Sequence, residues 1–177
     1  MKNPQVLLFG YGNPSRGDDA LGPLLLERLQ VRQYVGIEFL TDFQLQVEHA
    51  LDLEERALVL FVDADLSCPP PFAFRPLKPA CDNSYTTHAM SPSAVLQVFC
   101  EIRHQEPPPS YTLSIRGERF ELGEHLSPEA DANLEAALSF AEKLCANPDP
   151  GYWLSLAASE VVCPPQAGEG RLHGSAA

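Results

Sequence analysis

The chain has 177 residues, 45% of them hydrophobic, and 24 acidic against 12 basic residues give it a formal net charge of -12. That length and apolar content suit one domain with a proper core and exclude wholesale disorder. The acidic balance disfavours nucleic acid and anionic membrane surfaces as partners.

In chain order, Val6, Leu7, Leu8 and Phe9 form a continuous apolar run, the pattern of a strand buried on both faces of a parallel sheet. Leu21, Leu24, Leu25 and Leu29 follow at helical spacing, so GYGNPSRGDDALG, residues 10–22, is a strand-to-helix turn. Val35, Ile37 and Phe39 alternate with Gly36, Glu38 and Leu40 as a partly exposed strand would. The spacing then predicts a helix over about 45–56, with Val47, Ala50 and Leu51 inward and Glu48, Asp52 and Glu55 outward. Ala57 to Val62 is the clearest buried strand, ending at Asp63-Ala64-Asp65, and its carboxyl end should lie beside that of the first strand.

Five prolines between Ser67 and Pro79 exclude a central strand there, although Phe72 and Phe74 suit an edge strand. Ser91-Pro92 and Ser127-Pro128 are helix starts: serine caps, and proline at the first helical position loses no useful N–H. Between them, Tyr111, Leu113 and Ile115 alternate with Thr112, Ser114 and Arg116 as a strand with one wetter face, and Leu134, Ala137, Leu138, Ala141 and Cys145 mark a helical stripe. The expectation is a single three-layer α/β domain over residues 1–146, its mostly parallel twisted sheet of about five strands covered by helices on both faces. Residues 147–177 read as a Pro/Gly-rich disordered tail. The start MKNPQVLLFG has an apolar run too short for a signal sequence, and no stretch approaches a membrane span, so a cytoplasmic protein is expected. Cys68, Cys81, Cys100, Cys145 and Cys163 are odd in number and widely spaced, and read as free thiols.

The turn at 10–22 admits three readings. As a phosphate cradle it fails on charge: Ser15 stands where a dinucleotide fingerprint wants its third glycine, Asp18 and Asp19 would repel a pyrophosphate, and no Walker lysine follows. As a helix cap it needs one aspartate, which leaves the second unexplained. As part of a metal site it has partners, because Asp19, Asp63 and His88 each stand at the carboxyl side of a core element. Two carboxylates and one imidazole make an open metal site with positions left for water or for a substrate's own ligands. A loop histidine is more often a surface residue and a strand-ending aspartate often caps the next turn, so both readings stand at this level.

The turn resembles the motif G-x-G-N-x-x-x-x-D-[DE]-x-x-G of the [NiFe]-hydrogenase maturation endopeptidases, which trim the C-terminus of the hydrogenase large subunit. LFVDAD and THAMSPSAVL resemble two further stretches of that family, in order and at similar spacing, so the resemblance covers most of residues 5–145. It implies that Asp19, Asp63 and His88 are the metal-binding residues, with Asp19 standing where many members carry glutamate. Gln44, Leu45 and Glu48, in TDFQLQVEHALDL, resemble the Q-L-x-x-E of the branch serving bidirectional, NAD-linked hydrogenases. The resemblance further implies cleavage of the precursor after nickel insertion. Two carboxylates and an imidazole hold nickel weakly beside the precursor's thiolates, so the metal is expected to arrive with the substrate.

The sequence has no G-x-S-x-G elbow and no cysteine with a local histidine partner. The expected chemistry is therefore aspartic-type, metal-associated water attack, with Asp19 and Asp63 as catalytic ligands or base. Two other functions fit parts of the pattern: a nickel-binding assembly chaperone that cuts nothing, and a peptidyl-tRNA hydrolase, which shares the G-x-G-N-P turn but acts on a polyanion.

Overall fold

The computed structural model describes residues 5–81 and 90–159. Five strands form one sheet in the order β2-β1-β3-β5-β4: β1 Val6–Tyr11, β2 Ile37–Asp42, β3 Leu58–Asp65, β4 Phe72–Leu77 and β5 Ser110–Arg116. The first three pairings are parallel, and β4 runs antiparallel along β5 as an edge strand. Proline at position 76 is tolerated there because an edge strand has one row of unpaired N–H groups. The helices are α1 Leu21–Gln30, α2 Pro92–Arg103, α3 Pro128–Ala146 and α4 Pro150–Ala158. None of the helices among the described residues is long and apolar enough to cross a membrane.

Strand alternation sorts side chains into two cores. Val6, Leu8, Leu58, Leu60 and Val62 pack with α1, α3 and Trp153 of α4, whereas Leu7, Phe9, Val59 and Phe61 pack with Val95, Leu96 and Phe99 of α2. Burial on both faces explains why β1 and β3 read as unbroken apolar runs. The two Ser-Pro starts are observed: the Ser91 and Ser127 hydroxyls each accept the N–H three residues on, from Ala94 and Ala130, both at 3.2 Å.

Three expectations are corrected. The segment after β2 is a 3-10 turn over Val47–Leu53, with Leu45, Ala50 and Leu53 inward and Val47 and Leu51 exposed. The Gln46 N–H donates to His49 Nδ1 at 2.9 Å, a local bond that fixes the start of this tighter turn. Val35 lies outside β2 and is exposed, because the strand begins at Ile37, opposite Val6. The domain also continues past 146. Asp149 caps α4 by accepting the Tyr152 N–H at 2.8 Å, and Trp153, fully buried, joins the core formed by α1 and α3. Residues 160–177 lie outside the described residues.

Candidate functional site

The parallel pairing of β1 with β3 brings two of the expected site residues to one edge of the sheet. Phe9 registers with Phe61 and Gly10 with Val62, so Tyr11 and Asp63 come next on their strands and share the α2 face with Phe9 and Phe61. The Tyr11 hydroxyl donates to the Asp63 carboxylate. On the other flank β2 registers Asp42 opposite Tyr11. His49 Nε2 lies 3.4 Å from Asp42 Oδ2, and its ring stands edge-on to Phe9 with centroids 4.6 Å apart. Because His49 Nδ1 accepts the Gln46 N–H, the ring proton sits on Nε2, facing Asp42.

Asp19 enters from the 3-10 turn Gly17–Ala20, which leads directly into α1. Its Oδ2 accepts the Asn13 N–H at 2.8 Å, and its charge acts on Asp63. The turn closes tightly over it: Gly12 has φ +143°, and a Cβ there would lie 1.9 Å from the Asp19 carbonyl oxygen. The amides that a phosphate would need are already engaged. Asn13 N–H serves Asp19, Ser15 N–H serves Asn13 Oδ1, and Arg16 N–H serves the Asn13 carbonyl. Neither Asp18 nor Asp19 caps α1, whose N-cap is Ala20 with no side-chain bond.

The neighbouring acids differ because their donors differ. Asp18 is fully buried, yet the N–H groups of Ser127, Glu118 and Arg119 and the Ser127 hydroxyl outweigh burial and hold its carboxyl below the ordinary range. Burial likewise opposes the charge on Asp65, but the hydroxyl and N–H of Ser67 hold this carboxyl low. Burial pushes Asp63 up to about 7; Tyr11 and the Ala64 N–H oppose the shift, and the charges of Asp19 and Asp65 add to it. Tyr11 is itself raised by burial and by Asp63. A carboxyl poised near neutrality at the wall of a cleft is suited to general acid and base work. The carboxyl carbon NMR signal of Asp63 is expected to titrate near pH 7, and Asp19→Asn is expected to move that midpoint downward by removing a like charge; an unmoved midpoint would separate the two carboxylates.

Beside Asp63 lies a cleft of about 550 Å³, lined by Tyr11, Phe61, Asp65, Pro92, Ser114 and Phe120 among others. Cys68 is near this end of the sheet, but its thiol donates to the Asp65 and Ser114 carbonyls, and burial together with Asp65 pushes it up to about 11. It is therefore a poor nucleophile at neutral pH. The described cysteines are free, and Cys163 lies outside the described residues.

The structure thus brings Asp19 and Asp63 into one electrostatic site, whereas His88 lies outside the described residues. Among the described residues no three His, Cys, Asp or Glu side chains gather to hold a metal ion. Tyr11 was missed by the sequence reading. Its signal is alternation: Leu7, Phe9 and Tyr11 share a face, as do Val59, Phe61 and Asp63, and only the strand register joins the two series.

No family model matches the sequence, and no curated protein matches it. In three dimensions the chain is similar to a [NiFe] hydrogenase maturation protease, HycI, from Thermococcus kodakarensis, with a TM-score of 0.63 and 21% identity over 81% of this chain and 94% of that one. It is also similar to the hydrogenase maturating endopeptidase HybD from E. coli, with a TM-score of 0.61 and 22% identity over 79% of this chain and 91% of that one. The T. kodakarensis maturation protease HybD gives 0.60 and 19% over 80% and 99%. What the chain shares with these proteins at such identities is the fold.

Proposed function

We propose that this chain is an endopeptidase that removes the C-terminal extension of a nickel-loaded [NiFe]-hydrogenase large-subunit precursor, acting in the cytoplasm. The observation that carries the reading is Asp63, held by Tyr11 at the carboxyl end of β3, under the charge of Asp19 and at the wall of the cleft. The family-like turn at 10–22 and the similar fold of two maturation proteases named HybD and one named HycI support it. Gln44, Leu45 and Glu48 favour the branch that serves NAD-linked hydrogenases.

Nickel belongs to the substrate in this reading and marks a loaded precursor. Asp19, Asp63 and His88 are the residues that meet it, two oxygen donors and one imidazole that bind too weakly to strip nickel from thiolates. Met90, two residues after His88 in sequence, donates its N–H to the Leu45 carbonyl at 3.2 Å, and Pro92 lines the cleft with Asp63. The Asp63 carboxylate then takes a proton from the attacking water and returns it to the leaving amine. Tyr11 orients that carboxyl through its hydrogen bond.

Incubation with candidate precursors, with and without nickel, read by intact mass, tests the reading. The expected result is loss of one C-terminal peptide from the nickel-loaded precursor alone. A precursor that binds and keeps its full mass would instead make the chain an assembly chaperone.

A further inference from the structure

From Ser15 to Asp18 the turn after β1 is fastened to the connection between β5 and α3. Gly123 N–H donates to the Ser15 carbonyl at 2.8 Å, Gly17 N–H to the Glu124 carbonyl at 3.2 Å, and Asp18 N–H to the Arg119 carbonyl at 2.8 Å. Arg16 Nε–H reaches the Phe120 carbonyl at 3.3 Å. Gly17 has φ +54°, and a Cβ there would lie 2.6 Å from the Arg119 carbonyl oxygen, so only glycine lets the two chains approach.

The Asp18 carboxylate is the centre of this knot. Oδ2 accepts the Glu118 N–H at 2.7 Å, the Arg119 N–H at 2.9 Å and the Ser127 hydroxyl at 2.8 Å, while Oδ1 accepts the Ser127 N–H at 2.7 Å. An amide in its place keeps one accepting oxygen, so its N–H₂ would face either the Ser127 N–H or the N–H groups of Glu118 and Arg119, which only donate. Both chain neighbours of this knot belong to the site. Asp19 follows Asp18 directly, and Phe120, next after Arg119, lines the cleft with Tyr11 and Asp63.

We propose that Asp18 is a positioning residue: its carboxylate, through the N–H groups of Glu118, Arg119 and Ser127, sets Phe120 as an apolar wall that contacts the substrate peptide beside Asp63. This rests on the endopeptidase reading. A cleft that cuts a peptide needs a surface to align the chain with the acid, and an aromatic ring on a pinned loop supplies contact area at small entropic cost.

Two measurements on the full chain test it. Amide hydrogen exchange in Asp18→Asn is expected to quicken at least about tenfold at Ser127, or at Glu118 and Arg119, with β1 and β3 unchanged, since the one amide oxygen left can serve only one side of the knot. With nickel-loaded precursor, Asp18→Asn and Phe120→Ala are each expected to raise KM about tenfold, the double variant to be no worse than Asp18→Asn, and Phe120→Leu to restore most of the loss. Phe120→Ala leaves the knot intact, so the test stands even where Asp18→Asn does not fold. A loosened loop with wild-type KM, an unchanged KM in Phe120→Ala, or additive effects in the double variant would overturn the proposal. A wild-type chain that cuts no precursor would overturn the endopeptidase reading and the role of Phe120 with it, while exchange still judges the knot.

Discussion

Asp63→Asn is expected to lower precursor processing by about 10²- to 10⁴-fold, the range a positioned acid-base group supplies, and to make the protein more stable at pH 8. The second effect follows from the raised carboxyl. The native pKa of about 7 exceeds the ordinary 3.8, so the folded state binds this proton more tightly than the unfolded chain does. As pH rises between those values, stability falls, and the cost is complete above about 7. It amounts to roughly 1–3 kcal/mol after allowance for the partial exposure of the group. Asparagine carries no such charge and still accepts the Tyr11 hydroxyl. Thermal unfolding should therefore show a higher midpoint for the variant at pH 8 and little difference at pH 4, beside a flat intact-mass time course. Equal midpoints at pH 8 would mean that Asp63 is not held in a desolvated place, and wild-type processing would remove it from the chemistry. His88→Ala is expected to abolish processing as well.

What could be read in the sequence was local. Ser91-Pro92 and Ser127-Pro128 announce helices because the capping hydroxyl acts within three residues, and both caps are present. The apolar runs at Leu7 and Val59 fix the two central strands for a similar reason, since burial on both faces leaves no polar alternation. Periodicity failed over 45–56, where a short apolar pattern fits a helix as well as a 3-10 turn, and the Gln46–His49 bond decides between them. For the site, the acidic pair in the turn was legible and the division of labour within it was not. Asp18 and Asp19 look alike in sequence, but among the described residues the donors to the Asp18 carboxylate come from residues 118–127, beyond the reach of any local pattern. Tyr11 was hidden in the same way, because its role depends on which strand pairs with β1 and in what register.

Trp153→Ala is expected to destabilise the domain by about 3–5 kcal/mol, the usual cost of truncating a buried aromatic, out of a total of roughly 5–15. The side chain is fully buried, with its ring edge-on to Tyr111 at 5.7 Å and to Phe74 at 6.4 Å. Its indole N–H is shared by the Leu144 and Asn147 carbonyls, each at 3.2 Å, so the truncation also strips a donor from the end of α3. Trp153→Phe, which keeps an aromatic ring and loses only the donor and some volume, should fall between the two. Leu154, exposed at 57%, should tolerate alanine within about 0.5 kcal/mol, since it covers little of the core. Urea unfolding of a chain ended at 146 separates the two views of this region. If α4 closes the core, that chain unfolds at a much lower urea concentration than one ended at 159. If the two midpoints coincide, Trp153 fills a space the sheet does not need, and the folded domain does stop at α3.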